Sequence, residues 1–158
     1  SQTPNVTWRS AFTTFQPTND EFCNQFIKIM EAAEEGEFGS VKGKPINEQE
    51  YLCTVRVPGI NQSKILLSDG KWWYTGLIGS PSDKKTIEKR LRDYTETVDN
   101  CLPDMLQLDE GKDKKTKNRY AIFAGYIDDK LHGVTLKVEG SGEGPEDSVL
   151  KIILLDAK

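Results

Sequence analysis

Ser63-Lys64-Ile65-Leu66-Leu67-Ser68-Asp69-Gly70-Lys71-Trp72-Trp73-Tyr74-Thr75-Gly76-Leu77-Ile78 contains two apolar runs separated by an Asp-Gly pair. Asp-Gly between β-prone runs specifies a two-residue hairpin, because both turn positions need a positive φ that Gly adopts freely and Asp tolerates. Two neighbouring antiparallel strands follow, Ser63 to Ser68 and Lys71 to Ile78. Strand alternation then sends Trp72 and Tyr74 to one side of the sheet and Trp73 to the other.

Upstream of the hairpin, Tyr51 to Val57 also alternates. Tyr51, Cys53, Val55 and Val57 point one way, and Leu52, Thr54 and Arg56 the other, with Pro58-Gly59 as the turn that follows. Before it, Asn19 to Ala33 reads as an amphipathic helix. Phe22, Phe26, Ile29 and Ala33 share one face, which Cys23, Ile27 and Met30 widen. Thr18 and Glu21 have the spacing of a capping box, and Gly36 is a stop signal. The stretch Gly36 to Lys44 superficially resembles a phosphate loop. It fails in detail, since Phe38 stands where a glycine is required and Pro45 where Ser or Thr is required. It reads instead as a link from helix to sheet.

Downstream, Ser82 to Leu102 reads as a second helix, with Ser80 as cap, Pro81 in the first turn and Asp83 complementing the dipole. Ile87, Leu91, Tyr94, Val98, Cys101 and Leu102 form its stripe, and Pro103 ends it. Three strands are expected after it, near Tyr120 to Tyr126, Gly133 to Glu139 and Ser148 to Leu155, the first two joined at Asp128-Asp129. The last run is apolar on both faces, which suits a central strand.

The helix-then-strands pattern therefore occurs twice. At an offset of 69 residues, Tyr51 falls on Tyr120, Cys53 on Ile122, Ile65 on Val134, Phe22 on Leu91 and Ile29 on Val98. The expected fold class is α+β: two tandem α-β-β-β units with helices packed on one face of antiparallel sheet. The chain reads as a single compact domain over 1–158, with an internal pseudo-repeat of 18–79 and 80–155 and an N-terminal arm at 1–16. That arm carries Trp8, Phe12 and Phe15; their apolar surface favours an ordered segment from Val6 onward. In element order, two tandem α-β-β-β units resemble the β-lactamase inhibitor protein fold, and a helix followed by antiparallel sheet resembles secretion chaperones. No residue motif of either is present, so neither function carries over.

Length and charge narrow the classes. With 158 residues the chain has enough length for a sizeable core. A net charge of −4, from 21 basic and 25 acidic side chains, argues against non-specific nucleic-acid binding. The one basic run, Lys112 to Lys117, reads as a solvated loop. No apolar run has the roughly 20 residues needed to span a bilayer as a helix. The sequence starts at Ser1 without a methionine and shows no signal peptide, which suits a processed or trimmed chain, and the compartment leans weakly to secreted or periplasmic. Cys23, Cys53 and Cys101 all lie on or beside apolar faces. They read either as small core residues or as one disulfide plus a free thiol. Asn5-Val6-Thr7 and Asn61-Gln62-Ser63 match the N-glycosylation acceptor pattern.

Catalytic signatures are weak. His132 is the one histidine, so zinc sites needing two histidines are excluded. At a hairpin end it reads as a surface residue. No nucleophile elbow is present, and the acidic pairs Glu34-Glu35, Asp109-Glu110, Asp128-Asp129 and Glu146-Asp147 read as solvated turns. No cofactor and no metal is expected. The expectation is a non-enzymatic binding protein that recognises a protein, peptide or glycan through an aromatic sheet face. Trp73, Thr75, Leu52, Arg56 and Lys64 are the candidate contacts. Aromatic side chains suit recognition because they give large contact area at low entropic cost. The alternatives are a small-molecule or lipid carrier with a pocket lined by Phe26, Met30, Tyr94 and Ile122, and a carboxylate-dependent hydrolase. The chain is read as a monomer or an edge-paired dimer.

Overall fold

The computed structural model describes residues 20–140 and 143–155. The capping role of Thr18 and the arm at 1–16 lie outside them. In order come α1 (Asp20–Glu35), β1 (Lys42–Pro45), β2 (Glu50–Cys53), β3 (Ile60–Ser68), β4 (Lys71–Ser82), α2 (Lys84–Asp99), β5 (Gln107–Lys112), β6 (Arg119–Ile127), β7 (Lys130–Glu139) and β8 (Ser148–Leu155). The eight strands form one antiparallel sheet in the order β1-β2-β3-β4-β8-β7-β6-β5. The architecture is α+β and mostly sheet. No described helix is long and apolar enough to cross a membrane.

The turns behave as their residues dictate. Asp69 and Gly70 both have positive φ, 55° and 73°, and set Ser68 opposite Lys71. Asp128 and Asp129 do the same between β6 and β7, at 52° and 65°. Gly36, at φ 114°, ends α1, and its N–H donates to Ala32 O. Phe38, also left-handed at φ 55°, is driven into the core and is fully buried.

Both helices lie on one face. α2 packs against β4, β6, β7 and β8, and α1 against β8. The rings of Phe22 on α1 and Tyr94 on α2 are 5.9 Å apart, and Cys23 and Cys101 form a disulfide. Of the two readings of the cysteines, one disulfide with Cys53 left free is therefore the one realised. Beneath the helices every second residue is buried: Tyr74 and Ile78 on β4, Leu150, Ile152 and Leu154 on β8, Val134, Leu136 and Val138 on β7, Ala121 and Phe123 on β6. β8 is central and joins the two halves, with Tyr74 opposite Leu154 and Gly76 opposite Ile152.

Several expectations need correction. Each half holds four strands after its helix, not three. The unforeseen members, β1 (Lys-Gly-Lys-Pro) and β5 (Gln-Leu-Asp-Glu-Gly-Lys), are the two edges of the sheet. α2 starts later than expected, because β4 runs on to Ser82, opposite Ser148 on β8. Its cap is Asp83, whose carboxylate accepts from the Thr86 N–H and hydroxyl at 2.8 Å each, and these bonds lower the Asp83 pKa. β2 stops at Cys53, so Arg56 is in the connection to β3. His132 is not a surface residue: it is buried on the helix side, and that burial lowers its pKa.

At the 69-residue offset β3 falls on β7, where Ile65 and Val134 are both buried, but the helices α1 and α2 are themselves 64 residues apart, so the offset carries Ala33 past the end of α2. It fails for β2 and β6. Ile65 sits opposite Tyr51, whereas Val134 sits opposite Phe123, so Tyr120 and Ile122 lie on the other side of the sheet from Tyr51 and Cys53.

Candidate binding face

The strand residues that point away from the helices make up the second face of the sheet. No described helix or second sheet covers it. The pairings arrange it in rows. One row runs Leu52, Lys64, Thr75, Ile153, Thr135, Ile122 and Asp109 across β2, β3, β4, β8, β7, β6 and β5. A parallel row runs Glu50, Leu66, Trp73 and Leu155.

Four of the five expected contacts meet here. Leu52, Lys64 and Thr75 are successive neighbours in one row, and Trp73 is in the next. They do not offer equal surface. Leu52 is 48 % exposed, but Thr75 only 8 %, so Thr75 is the floor of the face and Leu52 its rim. Trp73 is half-buried, and its indole Nε1 donates to Ser68 O at 3.3 Å, which fixes the ring against the hairpin turn. Lys64 donates to Glu50 at 3.1 Å, and that bond lowers the Glu50 pKa. Arg56 is off the strands but lines, with Leu52, Asn61 and Ser63, an open hollow of about 590 Å³ beside β3.

Trp72 and Tyr51 are on the helix side. The Lys42 ammonium sits 3.4 Å from the Trp72 ring centroid and 5.3 Å from that of Tyr51. This cation–π contact ties β1 to the sheet and accounts for two of the aromatics as packing.

The β6–β7 side of the open face is the part that the expected residues omit. Tyr126 and Leu131 are direct cross-strand neighbours at the hairpin end, 68 % and 50 % exposed. Alternation from Tyr120 and Ile122 puts Tyr126 on this face, so its direction was legible. Its exposure was not, because it depends on the end of the hairpin standing clear of its neighbours. Further along, Tyr120, Ile122, Thr135, Lys137 and Glu139 line a second open hollow of about 550 Å³. Lys137 and Lys151 both approach Glu139, at 3.1 and 4.0 Å.

Chemically, the face offers half-buried aliphatic and aromatic side chains with scattered, mutually paired charges. Among the described residues no group of three or more His, Cys, Asp or Glu side chains converges in a metal-holding arrangement. Phe26 and Met30 are in the core, but Ile122 points to the opposite face, so the four residues of the expected carrier pocket do not enclose one space. No known family, curated protein or solved structure matches the chain.

Proposed function

We propose that the protein is a non-enzymatic binding module whose open sheet face docks a protein partner. The observation that carries this reading is the apolar content of a face no described helix covers: Leu66, Trp73, Leu77, Ile153 and Leu155 at its centre, and Leu52, Tyr126 and Leu131 at its rim. Contiguous exposed apolar surface rimmed by polar groups marks interaction sites on soluble domains. Trp73 and Tyr126 suit the anchoring role, with Thr75 as floor and Lys64 and Arg56 as polar rim. The shallow relief favours a broad partner over an enclosed small molecule.

The order helix–four strands, repeated and meeting at β4 and β8, supports reading the two halves as a duplicated unit.

The test compares wild type with Trp73→Ala and Lys64→Glu, each first shown to be fully folded at the capture temperature, in capture from the native source. A protein retained by wild type and lost by both variants supports the docking face. Equal retention by all three places recognition elsewhere. Binding of purified glycans that is abolished by Trp73→Ala replaces the protein partner with a carbohydrate.

A further inference from the structure

We propose that Asn61 is an N-glycosylation site, carrying an oligosaccharide that stands over the hollow beside β3. Asn61-Gln62-Ser63 has the acceptor pattern, and the structure sets it where a glycan fits. Asn61 and Gln62 are both exposed. Asn61 stays paired with Leu77, but the pairing of β3 with β4 is irregular between Asn61 and Lys64 and Gln62 takes a left-handed φ of 53°, so the chain bulges directly after Asn61. The Asn61 Nδ2 donates to Gly79 O at 3.2 Å. A carboxamide nitrogen has two hydrogens, so one serves this bond while the other is replaceable. The Ser63 hydroxyl is held in place by the Tyr74 hydroxyl at 3.1 Å.

The second observation is independent. A disulfide between Cys23 on α1 and Cys101, just past the end of α2, is of the kind that forms and persists in an oxidising compartment. In eukaryotic cells that compartment also supplies the donor, an oligosaccharide on a lipid diphosphate. In the transfer, Nδ2 bonds to the anomeric carbon, the carbon–oxygen bond to the diphosphate breaks with its electron pair leaving on the phosphate, and the amide loses one proton. The site does not depend on the docking role proposed above. It does bear on it, since Asn61 shares its hollow with Leu52 and Arg56. A glycan there narrows the open surface to the Trp73 and Tyr126 side.

The experiment is peptide mapping of the full chain secreted from cultured eukaryotic cells, with its disulfide intact. Cleavage after Arg56 and Lys64 isolates Val57 to Lys64, which contains Asn61 and no other acceptor. We expect this peptide to carry hexose and N-acetylhexosamine mass that amidase treatment removes, converting Asn61 to Asp. Ser63→Thr, which keeps the hydroxyl, should retain or raise the occupancy. Asn61→Gln should abolish it. Recovery of Val57 to Lys64 wholly unmodified, from both wild type and Ser63→Thr in folded secreted protein, overturns the proposal.

Discussion

Trp73 and Tyr74 are consecutive on β4 and have opposite surroundings. Tyr74 is fully buried beneath the helices, its hydroxyl bonded to Ser63, and burial raises its pKa far above the usual range. Trp73 lies on the open side between Leu66 and Leu155. The same contrast repeats on β6, between buried Phe123 and half-buried Ile122. Both faces are rich in apolar side chains, so hydrophobic content alone does not tell them apart. What separates them is the partner layer: one face has found its helices, and the other has none among the described residues. Stability should therefore depend on the first face far more than on the second.

The largest effect is expected on β6. Phe123→Ala should cost about 3–5 kcal/mol, the usual range for emptying a buried aromatic site. Ile122→Ala, its immediate neighbour, should cost about 1 kcal/mol, typical of a partly exposed position. Urea unfolding of both variants measures the difference, and equal losses would erase the distinction between the faces.

The disulfide comes next. Cys101→Ser opens a covalent loop that spans a sequence separation of 78 residues, and should cost about 2–4 kcal/mol. Because the bond joins α1 to the segment just after α2 over the inner face, the unfolding midpoint should drop while iodide quenching of the tryptophans in the folded state changes little. A large rise in quenching at native conditions would mean that the disulfide also holds the open face in shape.

A smaller effect is expected from pH. Burial lowers the His132 pKa, with Glu34 and Asp128 opposing that shift and Lys130 reinforcing it. Below roughly pH 6.5, the ordinary histidine value, the unfolded chain therefore binds a proton that the folded chain resists. Stability should be complete above that pH, fall as pH drops through it, and level off once the folded histidine also protonates. His132→Phe should remove this step from a series of urea midpoints between pH 7.5 and pH 5, whatever midpoint it starts from. A step of undiminished size in the variant would assign it to another group. The further loss at lower pH should remain in both, because Glu50, Asp83 and Asp113 have lowered pKa values whose contribution disappears on protonation.

The centre of the sheet was legible in the sequence because its strands must satisfy two constraints at once, alternation and burial. The Asp69-Gly70 hairpin, the apolar β8 and the stripes of both helices all followed from them. β1 and β5 escaped because edge strands bury little, and Lys42, Lys44, Asp109 and Glu110 leave no alternation to read. Such charged edges also discourage unwanted strand pairing. The partner of Cys23 was out of reach, since no local pattern reports which helix ends meet. His132 misled because a hairpin end usually faces water, whereas here the side chain is buried on the helix side and the end of α1 reaches the hairpin, with Lys130 donating to Glu34 O. At the candidate face, Leu52, Lys64, Thr75 and Trp73 could be grouped from alternation alone. Arg56 could not, since its placement depended on where β2 ends.

The most direct test compares Trp73→Ala with Tyr74→Ala in matched urea unfolding, two adjacent residues of similar size pointing to opposite faces. We expect Tyr74→Ala to lose about 3–5 kcal/mol and Trp73→Ala less than half as much. A Trp73→Ala variant as destabilised as Tyr74→Ala would show that the open face is structural core, and would contradict its assignment as a docking surface.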